Sequence, residues 1–349
     1  MSKQRKAVSL ISGGLDSMLA TKVIQDQGIH VEGINFYTGF CVEGHTHAIR
    51  KKDKEKQKKN SSLWVAEQLG IKLHIIDISE EYKDIVLNPK HGYGQNLNPC
   101  LDCKIDMVAR AWQWCMDNDF DFVITGEVIG QRPKSQRKET MPIIARESKI
   151  EDRLLRPLCA QHLTETLPER EGWVNRDELF DFHGRNRKPQ LALAKKLGFD
   201  EWSQPAGGCC FLTDESYSNK LQDMWDARGE RNYEVDDIML LKVGRHIRPA
   251  KHFKLIVSRE QGENNFMRGY RPMYSYLYPT SHGGPLTLID GIPTEEDILT
   301  AARVVARFSQ GRDADEVAVN YVAKHNEGEQ ELKVKPMPVA EIPDDWYIH

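Results

Sequence analysis

The feature that most limits the fold is the segment Ser12-Gly13-Gly14-Leu15-Asp16-Ser17, which directly follows the apolar run 7–11. The apolar run predicts a buried strand, and the residues after the segment are apolar at helical spacing. A strand, two glycines and a helix N-terminus make an anion site, because backbone N–H groups converge there and the helix dipole favours negative charge. A plain strand–helix turn is the alternative, but two serine hydroxyls and a carboxylate that could hold Mg²⁺ favour a phosphate site.

This segment resembles the pyrophosphate loop of the PP-loop ATPases. Members of that family have an adenine-nucleotide α-hydrolase-like α/β fold. They split ATP between its α and β phosphates and adenylate a carbonyl oxygen of a second substrate. The resemblance implies ATP and Mg²⁺ as cofactors, with the phosphates on Ser12, Gly13, Gly14 and Ser17 and the metal ion on Asp16. It leaves the second substrate open.

The first 155 or so residues alternate strand and helix patterns, which predicts a doubly wound parallel sheet. The predicted strands are residues 7–11, 31–36, 72–77, 121–125 and 154–158. In such sheets ligands bind beyond the carboxyl ends of the strands. The backbone around Asn35 and Phe36 is therefore a candidate adenine contact, and Gly126 would allow close approach of the nucleotide.

We expect three parts: a PP-loop ATP-binding domain over residues 1–160, a helical extension over 161–232, and a C-terminal α+β module over 233–349. In the last part, the sequence predicts strands over residues 237–248, 253–258 and 283–289. Thr294 reads as the cap of a helix, and the last ~20 residues read as an extended tail. The stretch 242–259 resembles the RNA-binding module of NFACT proteins, which implies an RNA-binding role.

Charge and hydropathy exclude some classes of protein. A net charge of −4 argues against a protein that coats nucleic acid indiscriminately, although it permits a local basic face. No apolar run approaches the ~20 residues that span a bilayer, so we expect a cytoplasmic protein without membrane contact. The basic run 50–59 fits either a solvated helix face or a phosphate-backbone contact. The better candidates for RNA contact are Arg132, Lys134, Arg185, Arg187 and Lys188.

Seven cysteines in such a chain point to metal, redox or catalytic use rather than disulfides. Cys100 and Cys103 open a predicted helix after a Pro-led loop, and Cys209 and Cys210 follow two glycines. A three-thiolate site with an open position suits a 4Fe–4S cluster. Four-thiolate zinc and cluster-free persulfide chemistry are the alternatives. The remaining three, Cys41, Cys115 and Cys159, read as small core residues.

A second resemblance narrows the substrate. Residues 98–103, Asn-Pro-Cys-Leu-Asp-Cys, are similar to the motif of tRNA 2-thiouridylases, and segments 126–133 and 205–209 resemble a branch with three cysteines. The resemblance implies a cluster on Cys100, Cys103 and Cys209, with Cys210 as the alternative third ligand. These cysteines and Asp16 would be catalytic. Gln131 and Arg132, which follow the fourth predicted strand, are further candidates for the nucleotide site.

The resulting hypothesis is an ATP-dependent tRNA sulfurtransferase that adenylates a uridine oxygen and replaces it with sulfur. Its expected partners are tRNA and a sulfur donor, either sulfide or a persulfide carrier, and a homodimer is compatible with the sequence. Two alternatives stay open: a PP-loop enzyme that amidates or thiolates a small molecule, and a redox-sensing RNA-binding protein without catalysis.

Overall fold

The computed structural model describes residues 4–42, 61–202, 210–324 and 328–349. These residues form two compact units, the first ending at Thr213 and the second beginning at Asp214. The expected extension over residues 161–232 is thus divided between the two units. Across the described ranges, no helix has the length and apolar character needed to cross a membrane. The basic run 50–59 lies outside the described residues.

The first unit is built on a parallel five-stranded sheet, as the sequence predicted. Its strands follow the order β3-β2-β1-β4-β5, and each neighbouring pair is parallel. The strands are β1 Lys6–Leu10, β2 His30–Tyr37, β3 Leu73–Asp77, β4 Phe122–Ile124 and β5 Leu154–Leu155. The chain builds outward from β1 to β3, then returns to the other side of β1 with β4. Ligands bind at such a switch point, beyond the carboxyl ends of β1 and β4.

Helices connect these strands. They are α1 Leu15–Gln25, α2 Ser62–Leu69, α3 Lys83–Leu87, α4 Cys100–Asp117, α5 Thr140–Glu147, α6 Leu167–Arg170 and α7 Lys188–Lys196. Buried residues of α1 share one core with Phe122 and Ile124 of β4 and with Leu193 and Ala194 of α7. This core fixes α7 beside α1, so the residues that precede α7 lie close to the loop between β1 and α1.

Gly126 packs directly against the N-terminal turn of α1. A Cβ atom at this position would lie 2.4 Å from the carbonyl carbon of Asp16 and 2.4 Å from the backbone nitrogen of Ser17. Backbone atoms cannot move aside as a flexible side chain can. The glycine therefore lets the end of β4 contact the predicted phosphate loop, residues 12–17, directly. This role differs from the close approach of a nucleotide that the sequence led us to expect.

The second unit contains a six-stranded antiparallel sheet of order β11-β10-β8-β9-β7-β6. Its strands are β6 Arg245–Ala250, β7 Phe253–Val257, β8 Ser275–Pro279, β9 Thr287–Gly291, β10 Val317–Val322 and β11 Glu329–Val334. Its helices are α8 Glu215–Arg228, α9 Val235–Leu240, α10 Gln261–Met267 and α11 Glu295–Arg307. The fold class, an α/β sheet followed by an α+β module, is confirmed.

Two local predictions in this unit were wrong. The start of the expected strand 237–248 is helical, because Glu234 and Asp237 form a reciprocal capping box that begins α9. The expected tail contains β11, which pairs along β10, and Ile342, which is buried in the core under α11. The helix start at Thr294 is confirmed, since its side chain accepts a hydrogen bond from the backbone N–H of Asp297.

We predict that Gly126→Ala destabilises the first unit by about 1–3 kcal/mol, because the added methyl group overpacks backbone that cannot relax. Urea unfolding measures the change. Gly269→Ala is the control, since a Cβ at Gly269 meets nothing within 4 Å. Equal stability of wild type and Gly126→Ala would contradict the close contact.

Candidate active site

The loop between β1 and α1 has the geometry of a phosphate cradle. Gly13 has a φ of 71°, a left-handed conformation that favours glycine, and Gly14 caps α1. The hydroxyl of Ser17 donates to the carbonyl of Gly14 at 2.8 Å, and the backbone N–H of Ser12 donates to the same hydroxyl at 3.4 Å. These contacts hold the loop closed against the first turn of the helix.

Asn35 and Phe36 lie at the end of β2, next to this loop. The side-chain amide of Asn35 donates to the carbonyl of Ile11 at 2.7 Å, so Asn35 anchors the backbone that enters the loop. The side chain of Phe36 is buried. Their backbone atoms remain the predicted adenine contact.

Asp16 is the centre of a polar network on the first turn of α1. One carboxylate oxygen accepts from the side-chain amide of Gln131 at 2.7 Å and lies 3.6 Å from the guanidinium of Arg187. The other oxygen, Oδ1, is buried and has no hydrogen-bond partner among the described residues. An orphaned carboxylate oxygen at a helix N-terminus fits a hard cation such as Mg²⁺, which takes oxygen ligands from carboxylates and phosphates.

Gln190 extends this network and was missed in the sequence. It is 1% exposed, and its amide donates to the side-chain oxygen of Gln131 at 3.2 Å. Gln190 follows Pro189 in the first turn of α7, where a polar residue reads as part of a solvated helix end. Only the packing of α7 against α1 places it inside.

Arg187 also differs in position from its two neighbours in the basic segment. Arg185 and Lys188 are exposed, whereas Arg187 is partly buried at Asp16, and its Nε atom has no hydrogen-bond partner within the described ranges. All three were predicted to contact RNA. For Arg185 and Lys188 that stays a prediction, while the location of Arg187 favours an ATP phosphate.

The other two predicted RNA contacts lie after β4. Arg132 is exposed. The ammonium group of Lys134 donates to the carbonyls of His91 and Gly92, at 3.2 and 2.7 Å. Lys134 therefore stabilises the loop that leads to Cys100, and contact with RNA would require it to exchange these partners.

Glu127 is a buried carboxylate that connects the end of β4 to α4. It accepts from the hydroxyl of Thr125 at 2.9 Å and from Arg156 at 3.0 Å, and it lies 3.8 Å from the ammonium group of Lys104. Burial opposes its ionisation, but Lys104 and Arg156 outweigh burial and lower the pKa of the Glu127 carboxyl below its ordinary value. The ion pairs fix the first turns of α4 close to the phosphate loop, since Gly126 contacts that loop.

Cys100 and Cys103 occupy the first turn of α4, at positions that share one face of the helix. The thiol of Cys100 lies 3.2 Å from the hydroxyl of Ser135, and that of Cys103 lies 4.0 Å from the sulfur of Met107. Cys209 lies outside the described residues. Within the part of the chain that the structure describes, including Cys210, no three His, Cys, Asp or Glu side chains converge as metal ligands.

The other cysteines divide into two kinds. Cys115 and Cys159 are core residues, as predicted, and burial raises the pKa of their thiols to about 12 and about 11. Cys41 is only partly buried and forms an isolated antiparallel bridge with Cys210, so its assignment to the core was wrong. The sequence carries no signal for this pairing, because 168 residues separate the two positions.

Comparison with known proteins agrees with the division of the chain into two units. Residues 5–167 match the model of the tRNA methyl transferase HUP domain, and residues 244–347 match the NFACT protein RNA binding domain. One match thus falls in each of the two units.

Curated relatives include the tRNA-specific 2-thiouridylase MnmA of Malacoplasma penetrans, 25% identical over 73% of this chain and 68% of the relative. That of Stutzerimonas stutzeri is 24% identical over 68% of this chain and 59% of the relative. The chain therefore spans about two thirds or less of these proteins. A solved 4-thiouridine synthetase–RNA complex with bound ATP has a TM-score of 0.36 and 21% identity, covering 56% of this chain and 41% of the other.

We predict that Glu127→Gln lowers the free energy of unfolding at neutral pH by about 3 kcal/mol, because it leaves the buried Arg156 without its counter-charge. A carboxyl group whose pKa is lowered in the folded state stabilises the fold at pH values above its unfolded pKa of about 4. That contribution to stability is lost as the pH falls. The difference between wild type and variant should therefore shrink in acid.

Urea unfolding from neutral to acid pH tests this expectation. Glu147→Gln is the control, because Glu147 also pairs with cationic groups, Lys90 and His91, but lies at the surface. It should change stability little. A Glu127→Gln difference that stays constant into acid would contradict the assigned ionisation.

We also predict that Arg187→Gln raises the KM for ATP by about tenfold, as expected for loss of one charge-assisted phosphate contact. Arg185→Gln is the matched control two residues away on the exposed side of the segment. It should leave the KM for ATP unchanged and affect only RNA affinity. Identical behaviour of the two variants would show that Arg187 does not bind ATP.

Proposed function

We propose that the protein is an ATP-dependent tRNA sulfurtransferase that converts a uridine of tRNA to thiouridine. The observation that supports this most is the connection between two motifs at one edge of the sheet. Gly126 contacts the phosphate loop at Asp16 and Ser17, and the next residue, Glu127, pairs with Lys104 directly after Cys103. The residues proposed for nucleotide activation and those proposed for thiol chemistry are therefore close together.

In this proposal the loop binds the ATP phosphates and orients them. Backbone N–H groups at the start of α1 and the hydroxyls of Ser12 and Ser17 donate to phosphate oxygens. Asp16 would hold Mg²⁺ through Oδ1, the oxygen that lacks a partner, while Gln131 keeps the other oxygen in place. The metal ion would neutralise phosphate charge, and Arg187, whose guanidinium lies 3.6 Å from Asp16, would add a second positive charge.

Adenylation solves the difficulty of removing a carbonyl oxygen from a uridine. The oxygen attacks the α-phosphorus of ATP, pyrophosphate leaves, and the base carries AMP on its former carbonyl oxygen. A sulfur nucleophile then adds to that carbon and AMP departs with the oxygen. The uridine must be accessible for this chemistry, so the enzyme would take it from a loop or flip it out of a stack.

We further propose that Cys100, Cys103 and Cys209 bind a 4Fe–4S cluster. Cys100 and Cys103 fit two of its ligands, since they share one face at the start of a helix. Zinc is the alternative. The C-terminal module would increase affinity for tRNA, the activity would belong to the cytoplasm, and sulfide or a persulfide carrier would supply the sulfur.

Metal analysis of anaerobically purified protein tests the cluster. We expect about four irons and four acid-labile sulfides per chain, as a 4Fe–4S cluster requires. Cys100→Ser and Cys103→Ser should lose both, and Cys115→Ala, a core cysteine, should keep them. Stoichiometric zinc without iron would contradict the cluster and leave the ATP chemistry untouched.

We predict that Asp16→Asn reduces tRNA thiolation by about 100-fold or more, because the amide cannot neutralise a metal ion at the phosphates. The assay measures pyrophosphate release and thiouridine with ATP and a sulfur source. Asp26→Asn, at the far end of the same helix, should retain activity.

The same assay separates the two alternatives. Pyrophosphate release or ATP–pyrophosphate exchange that proceeds equally without tRNA would favour a small-molecule substrate. Tight RNA binding without pyrophosphate release would favour a non-catalytic redox-sensing protein. A homodimer remains a prediction.

A further inference from the structure

Asp16, Gln131 and Gln190 form a chain of hydrogen bonds, here called the amide relay, whose direction is fixed by its first member. A carboxylate only accepts hydrogen bonds, so the Gln131 amide must present its NH₂ group to Asp16, as it does at 2.7 Å. The oxygen of the same amide then points away from Asp16. It accepts from the NH₂ group of Gln190 at 3.2 Å. The orientation of each amide is therefore determined by the one before it.

Gln190 is an unfavourable residue to bury at the start of α7. Its side chain is 1% exposed and its NH₂ group donates to Gln131, but its oxygen has no hydrogen-bond partner among the described residues. Burying an amide costs free energy wherever its polar atoms lack partners, and an apolar side chain of similar size would avoid that cost. The core that α7 shares with α1 is otherwise apolar. The presence of an amide here indicates that its contact with Gln131 has a function.

The amide relay makes the two carboxylate oxygens of Asp16 unequal. Oδ2 accepts from Gln131 and lies 3.6 Å from the guanidinium of Arg187. Oδ1 is buried and has no partner in the described part of the chain. Because Oδ2 is held in place, Oδ1 is the oxygen left for the Mg²⁺ ion of the proposed function. Side chains that orient a metal ligand in this way change the affinity for the metal ion although they do not bind it.

We propose that Gln190 is a positioning residue for Mg²⁺ binding and that it acts through Gln131. Without a donor at residue 190, the Gln131 amide is free to turn and present its oxygen to Asp16. Two acceptors then face each other, so the carboxylate loses its hydrogen bond and Oδ1 loses its fixed direction. This inference rests on the proposed function for the presence of Mg²⁺ and ATP, but it can be tested without tRNA or turnover.

The probe is α,β-methylene ATP, an analogue that cannot be split between its α and β phosphates. Its Kd for the full-length protein is measured by calorimetry at increasing Mg²⁺ concentrations, and again with a chelator in place of Mg²⁺. We expect Gln190→Leu to raise the Mg²⁺ concentration that gives half of the full effect by about tenfold, because the metal ligand is no longer oriented. Binding of the analogue without Mg²⁺ should stay unchanged.

A double-mutant cycle separates this positioning role from a purely structural one. Gln131→Leu should weaken the Mg²⁺ dependence at least as much as Gln190→Leu. The double variant should be no weaker than Gln131→Leu alone, because the amide relay is already broken. Gln113→Leu is the matched control, since Gln113 also donates to a carboxylate, that of Asp117 at 2.9 Å, but at the exposed surface of α4. It should behave as wild type, and urea unfolding verifies that each variant is folded.

The proposal is overturned if Gln190→Leu leaves the Mg²⁺ dependence unchanged, or weakens binding equally with and without Mg²⁺. Losses that add in full in the double variant would also overturn it, because Gln190 would then act independently of Gln131. Wild-type binding that does not depend on Mg²⁺ would contradict both this proposal and the magnesium site of the proposed function. The expected Mg²⁺ dependence and coupling in a protein that does not thiolate tRNA would support the amide relay and count against the proposed function alone.

Discussion

The contact between the end of β4 and the first turn of α1 is the constraint on which the rest of the first unit depends. With no room for a Cβ at residue 126, the two backbones meet directly. That contact places Gln131, which follows the end of β4 by seven residues, within hydrogen-bonding distance of Asp16. It also brings the buried Glu127 and its ion pairs beside the loop, and through Lys104 the helix that carries two cysteines. One steric condition thus brings the loop after β1, the buried Glu127 and the start of α4 close to one another.

Much of the first unit could be predicted from sequence because its signals are local. Five apolar runs separated by helical patterns gave the parallel sheet, and the phosphate loop follows from glycines and hydroxyls next to one another in the chain. The two wrong predictions in the second unit have different causes. A capping box at Glu234 and Asp237 begins a helix inside an apolar run that reads as a strand, and β11 is a polar edge strand that only its pairing with β10 reveals.

The parts of the candidate site that could not be predicted depend on contacts between distant segments. Gln190 becomes a buried member of the Asp16 network only because α7 packs on α1. Arg187 turns toward the loop while Arg185 stays in solvent, although their sequence surroundings are alike. Cys41 meets Cys210 through a bridge of a single residue pair. Composition and spacing do not show which distant residues come into contact. The sequence therefore identified candidate functional residues such as Asp16 and Arg187, but not the side chains with which they interact.

The central claim is that the uridine oxygen itself attacks ATP, and the fate of that oxygen tests it most directly. The substrate is transfer RNA labelled with heavy oxygen at its uridine carbonyls. It is thiolated in the presence of ATP, and the mass of the AMP produced is measured by mass spectrometry. The account predicts one heavy oxygen in AMP for each thiouridine formed. Thiouridine accompanied by unlabelled AMP would contradict it, because the phosphate loop would then activate something other than the base.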